Sequence, residues 1–140
     1  MFYSIILTYI IKTEGNLTMA NDTISPVEKR RNEVLQVFKD HPGKIVPEIQ
    51  AKILAQRVVL GMTPYEAHLA AGAFAFKVIA DASRWKGNAN PYKVMWAQSL
   101  HPDNSEIWMT FATDTQYTGE GMKKFKVYFK GGKALTITKL

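Results

Sequence analysis

Apolar residues recur at helical spacing in the first half of the chain and alternate in the second. Val27, Val34, Leu35 and Phe38 share one helix face, with Lys29, Arg30 and Arg31 outside it. The pattern predicts a helix from the Ser25-Pro26-Val27-Glu28 cap to about Lys39, stopped by His41-Pro42-Gly43. A second stripe of Ile49, Ile53, Leu54 and Leu60, with Lys52, Gln56 and Arg57 turned to water, predicts a helix from near Pro47 to Gly61. The next corner is the most sharply written. Thr63 is a candidate N-cap, Pro64 suits the first helical position, and Glu66 stands where a capping box needs it. A short helix should follow, with Tyr65 and Leu69 inward. Gly61 and Gly72 are expected to close the two helices, because glycine takes the left-handed conformation without strain.

Past Gly72 the period falls to two. Residues 74–79, 92–98, 106–113, 123–130 and 134–139 alternate and are predicted as strands. Residues 83–91 read as a polar loop holding Trp85, 101–104 as a turn, and 114–121 as a looser loop. The fold class is therefore α+β: N-terminal helices packed on one face of a three- to four-stranded antiparallel meander. Residues 19–44 form a capped N-terminal helix and 45–140 a small α+β domain. Residues 1–18 are expected to be an upstream extension. Glu14-Gly15 can be encoded by a ribosome-binding core, three codons before Met19, which makes Met19 the expected start.

The last hairpin permits a register argument. A two-residue Gly131-Gly132 turn would pair Phe129 with Ala134 and mix the faces beyond it. A three-residue loop, Gly131-Gly132-Lys133, pairs Phe129 with Leu135 and Val127 with Ile137. Phe125, Val127, Phe129, Leu135 and Ile137 then face the helices, and Lys124, Lys126, Tyr128, Lys130, Thr136 and Thr138 face away. If the neighbouring strand continues the sheet, Trp108 and Thr110 join the outer face.

Charge sharpens this picture. The chain is 140 residues with a formal net charge of +6. Residues 19–120 carry equal numbers of acids and bases, whereas 121–140 carry six lysines and no acid. The basicity thus belongs to the C-terminal hairpin. It reads either as a solvated edge that discourages sheet-to-sheet association or as an electrostatic contact surface. Cysteine is absent, which excludes disulfides, thiolate metal sites and a cysteine nucleophile.

From about Lys52 to Ile137 the chain resembles the SmpA/OmlA (BamE-like) family of small outer-membrane lipoprotein domains. The matching pieces, in order, are Leu60-Gly61-Met62-Thr63, Ala71-Gly72, Glu106-Ile107-Trp108, and Lys126-Val127-Tyr128-Phe129-Lys130-Gly131-Gly132-Lys133. The resemblance implies helices on an antiparallel sheet and a scaffolding or protein-binding role in envelope assembly. The chain departs from the family in having no acylated cysteine, in the Ala73-Phe74 that replaces a proline after the short helix, and in the length of loop 83–91. A cytoplasmic location is therefore expected ahead of the periplasm or envelope.

Catalytic chemistry finds little support. His41, His68 and His101 lack metal-ligand spacing, so no metal is expected. His68 is expected at the surface or core edge. His101-Pro102-Asp103 matches the J-domain cochaperone tripeptide, but proline and aspartate are ordinary turn formers. The glycine pairs belong to hairpins, not phosphate loops, and no cofactor is expected. The expected function is a non-enzymatic binding or scaffold module that contacts another protein, or itself, through the open face or edge of its sheet. The alternative is nucleic-acid or anionic-lipid binding through Lys124, Lys126, Tyr128, Lys130 and Trp108. Gly61, Thr63, Glu66, Gly72, Gly131 and Gly132 are structural.

Overall fold

The computed structural model describes residues 25–87 and 89–140. The expected upstream extension, residues 1–18, and the expected start at Met19 lie outside the described residues. The described residues divide into two compact units, 25–50 and 51–140 apart from residue 88.

In the first unit, helix α1 (Pro26–Asp40) starts where Ser25 Oγ accepts from the Glu28 N–H at 3.1 Å. Its apolar stripe is narrower than expected. Val34 is buried, but Val27 is 65% exposed and Leu35 37%. Arg30 is half-buried rather than fully outside, and burial lowers its pKa below the ordinary value although Glu33 opposes the shift. Ile45 is buried, and its carbonyl accepts from Gln50 Nε2 at 2.8 Å. Helix α2 (Pro47–Leu54) opens in this unit and closes in the second.

Helix α2 stops well short of Gly61. Gln56 adopts φ 58°, its N–H bonds the Ile53 carbonyl at 2.9 Å, and the Arg57 N–H bonds the Lys52 carbonyl at 3.0 Å. This is the paired bonding of a Schellman termination, built with glutamine where glycine is usual. The 114–121 loop fixes that end. Gln116 Oε1 accepts from the Val58 N–H at 2.7 Å and its Nε2 donates to the Val58 carbonyl at 2.8 Å, so one side chain stands in for a strand neighbour. Thr115 Oγ1 donates to the Gln56 carbonyl at 2.7 Å. Leu60 is consequently 60% exposed. Gly61 caps no helix: its N–H donates to the Ala134 carbonyl at 2.9 Å, while the Met62 carbonyl accepts from the Ala134 N–H at 2.7 Å.

Helix α3 (Pro64–Ala71) has the capping box that its sequence announces. Thr63 Oγ1 accepts from the Glu66 N–H at 3.2 Å, and Glu66 Oε1 accepts from the Thr63 N–H at 2.9 Å. Gly72 closes it at φ 84°. His68 is fully buried, with Nδ1 2.7 Å from the Gly72 carbonyl and its ring edge-on to Phe74.

The sheet has four antiparallel strands in chain order: β1 (Phe74–Ile79), β2 (Glu106–Thr113), β3 (Lys123–Lys130) and β4 (Lys133–Lys139). Residues 92–98 are not a strand. They belong to helix α4 (Pro91–Leu100), capped by Asn90, whose side chain accepts from the Tyr92 N–H at 2.9 Å. The 101–104 turn therefore joins a helix to β2. Helices α3 and α4 contact each other and the inner sheet face, α3 against β2 and α4 against β1. Ile107, Met109, Phe111, Phe125, Val127 and Phe129 fill that face, together with Met62, Ala67, Val94 and Met95. Burying each phenylalanine contributes about 1.5–3 kcal/mol.

The last hairpin differs from the expected register. Val127 does face Ile137, but Lys130 pairs with Lys133 and Phe129 with Ala134, across a two-residue Gly131-Gly132 turn. Leu135 is an extra residue between the two registers, a β-bulge that restores the inner face beyond it. It is 53% exposed, not packed against the helices. Ala134 takes its place in the core at 2%. Among the described residues no helix is long and apolar enough to cross a membrane.

Candidate functional site

The sheet face opposite the helices is built from the alternate residues of each strand. Pairing of β2 with β3 sets Trp108 beside Tyr128 and Thr110 beside Lys126. On the far side, β1 sets Lys77 beside Trp108 and Ala75 beside Thr110. On the other, β4 sets Thr136 beside Tyr128 and Thr138 beside Lys126. Two continuous rows result: Lys77–Trp108–Tyr128–Thr136 and Ala75–Thr110–Lys126–Thr138. Lys124 lies beyond the second row, and Lys130 and Lys133 beyond the first.

The aromatic centre is ordered by its neighbours. The Trp108 and Tyr128 rings lie 5.1 Å apart, tilted by 35°. Tyr128 Oη donates to Glu106 Oε1 at 2.7 Å. That bond, with burial and the carboxylate's charge as lesser causes, raises the tyrosine pKa above its ordinary value, so the hydroxyl keeps its proton. Lys77 Nζ sits 5.7 Å from the Trp108 ring centroid, close enough for a cation–π contact. Beside Trp108 a shallow open depression of about 270 Å³ is lined by Ala75, Phe76, Lys77, Trp108, Thr110 and Lys126. Its floor is low because Ala75 and Thr110 are small.

All five residues singled out from the sequence, Lys124, Lys126, Tyr128, Lys130 and Trp108, share this face. Lys124, Lys126 and Lys130 are exposed; Tyr128 and Trp108 are half-buried. Among the described residues, no carboxylate makes an ion pair with Lys77, Lys124, Lys126 or Lys130. Lys77, Lys133 and Ala75 were not anticipated on this face, whereas Thr110, expected there if β2 continued the sheet, does lie on it. Alternation in β1 marks Lys77 as an outer residue, but only tertiary pairing with β2 places it against Trp108. Lys139, another strand lysine of the hairpin, pairs with Glu120 at 2.7 Å.

A second polar cluster lies at the α4–β2 turn. Asp103 accepts from Trp85 Nε1 at 2.9 Å, from Arg84 at 3.2 Å and from the Ser105 N–H at 2.7 Å. Asp81 accepts from Ser83 and from the Asn104 N–H at 3.1 Å, and its own N–H donates to Ser105 Oγ. Arg84 also donates to the His101 carbonyl. Burial pushes the Asp103 carboxyl up, but bonds from Ser105 and Trp85 and the charge of Arg84 outweigh it and hold the pKa below the ordinary value. Gln98 Oε1 accepts from the Asp103 N–H at 2.9 Å, while the buried Gln98 Nε2 finds no partner; the cluster's bonds tie residues 81–85 to 101–105. A scan of protein-family models and searches of curated proteins and solved structures find no match to this chain.

Proposed function

We propose that this chain is a non-enzymatic binding or scaffold module, as its resemblance to the SmpA/OmlA family implies, and that the open sheet face is its contact surface. One observation carries the reading. Lys77, Lys126 and Lys130 flank the Trp108–Tyr128 pair, with Lys124 one row further on, on the sheet face opposite α3 and α4. Solvation alone explains surface lysines; it does not explain two large rings held among them by a hydrogen bond and a cation–π contact.

The test uses two anionic ligands, poly-L-glutamate and oligouridylate, titrated while the Trp108 indole N–H resonance is followed. At least one ligand should move that resonance and leave the Trp85 indole, bonded to Asp103, in place. The triple variant K124E/K126E/K130E should keep its circular dichroism spectrum and lose the response. A Trp108 resonance that moves with neither ligand, or a triple variant that binds as before, would overturn the reading.

A further inference from the structure

The depression beside Trp108 lies just below the ~300–1,000 Å³ of ordinary ligand pockets, and its walls are a flat ring, small residues and two lysines. We infer that the open face binds single-stranded nucleic acid, with one base seated against Trp108 and the adjoining phosphates held by Lys77, Lys126 and Lys124. This rests on the reading that the open face is the contact surface, and it names the ligand.

Three features select this chemistry. The first is size: about 270 Å³ of open space suits one planar base rather than an extended ligand. The second is composition. The cores of protein–protein interfaces are depleted in lysine, whereas this face places lysines directly around its aromatic centre. A charged groove with rings on which bases stack is the general solution for single strands. A duplex keeps its base faces stacked on one another and would leave Trp108 without a role. The third is order before binding. Tyr128 is tethered to Glu106 and supports Trp108 from one side, so the platform loses little freedom when a base arrives. Lys77, now 5.7 Å from the Trp108 centroid, holds a cation at the π-face and can turn to a phosphate as the base takes that position.

The geometry also gives the strand a direction. Glu106 lies at one end of the face, opposite Ile79 and Lys130. Its carboxylate repels phosphates, so the backbone runs away from it, over the Thr110–Lys126 row toward Lys124. Thr110 and Thr138 flank Lys126 in that row and offer hydroxyls to the sugar-phosphate chain. Lys130, next to Glu106, is the least involved of the β3 lysines.

The experiment measures fluorescence anisotropy of labelled oligouridylate with the full chain, and with labelled poly-L-glutamate as the acidic-protein arm. Three phosphate contacts predict a slope of about −2 for log affinity against log salt, so raising salt from about 50 to 200 mM should weaken binding roughly twentyfold. Trp108→Ala should weaken oligouridylate binding about 5- to 150-fold, and Trp108→Phe should restore most of it. Lys126→Gln should lower the salt slope by about 0.7, and Lys130→Gln should leave it nearly unchanged. Three results would overturn the inference: no oligouridylate binding, binding indifferent to Trp108→Ala, or poly-L-glutamate bound as tightly with the same dependence on Trp108. If poly-L-glutamate alone binds, the open face remains the contact surface and its partner is an acidic protein. If neither ligand binds, the contact surface falls with it.

Discussion

Adding one methyl group at Gly132 should destabilise the domain far more than adding it at Gly131. Both residues have positive φ, 64° and 76°, as the two central residues of a type I′ turn require. An alanine at either site meets the left-handed penalty of about 1–2 kcal/mol. At Gly131 nothing lies within 4 Å of the added carbon, so that penalty is the whole cost. At Gly132 the carbon would stand 2.4 Å from the Gln98 carbonyl oxygen and 2.8 Å from Pro102 Cβ. The obstruction is the backbone at the end of α4, which cannot rotate aside. Either the hairpin or the helix end must shift, an overpacking cost of typically 1–3 kcal/mol. Gly132→Ala should therefore lose about 2–5 kcal/mol, a large part of the ~5–15 kcal/mol available to a domain. Urea unfolding followed by circular dichroism, with the slope held common, gives the difference directly. Gly131→Asn supplies a control, since asparagine enters the left-handed region readily. Equal midpoints for the two alanine variants would refute the proposed contact between the hairpin tip and α4.

Three further outcomes are expected. Thr63→Ala should cost about 1 kcal/mol through loss of the N-cap bond to the Glu66 N–H, measurable as a lower urea midpoint. Gln56→Gly should raise the stability by up to about 1 kcal/mol, seen as a higher urea midpoint, because a non-glycine residue now holds φ 58° at the end of α2. The Asp103 carboxyl has a lowered pKa in the folded state. Its stabilising contribution is thus complete above the ordinary aspartate value and is lost as pH falls through the folded value. Asp103→Asn should be less stable than the parent at neutral pH, and the difference in urea midpoints should shrink as pH falls below the ordinary aspartate value.

Local chemistry made some elements readable and concealed others. The Ser25 and Thr63 caps were legible because a hydroxyl, a proline and a glutamate occupy fixed offsets within one helical turn. Asn90-Pro91 carries the same kind of signal at the start of α4. There the alternation of Tyr92, Val94 and Trp96 favoured a strand, whereas burial falls on Val94, Met95 and Gln98, a helical spacing. The end of α2 was hidden for a different reason: a glutamine occupies the left-handed position, supported by Thr115 and Gln116 some sixty residues away. Two loops of uniform register leave no place for a bulge, so alternation alone puts Leu135 in the core. On the open face, β3 was legible from alternation alone. Trp108 followed once β2 was known to neighbour β3, and Lys77 required the β1–β2 register, which no short turn determines.

The extra residue at Leu135 also bears on how copies of this chain would behave at high concentration. Strand β4 is an outer strand, covered at Ala134 by Gly61 and Met62; the rest of its outer side is an edge, where ordered fibres recruit their next molecule. Growth of that kind needs a straight template along which every peptide group can be matched. The bulge bends β4 and increases its twist just past that covered residue, so an arriving strand meets no straight template along its length. Straightening the strand by deleting Leu135 would restore continuous pairing with β3. With the turn kept, Thr136 would still pair with Tyr128 and Ile137 with Val127, so the core would close as before and only the protection of the edge would be lost.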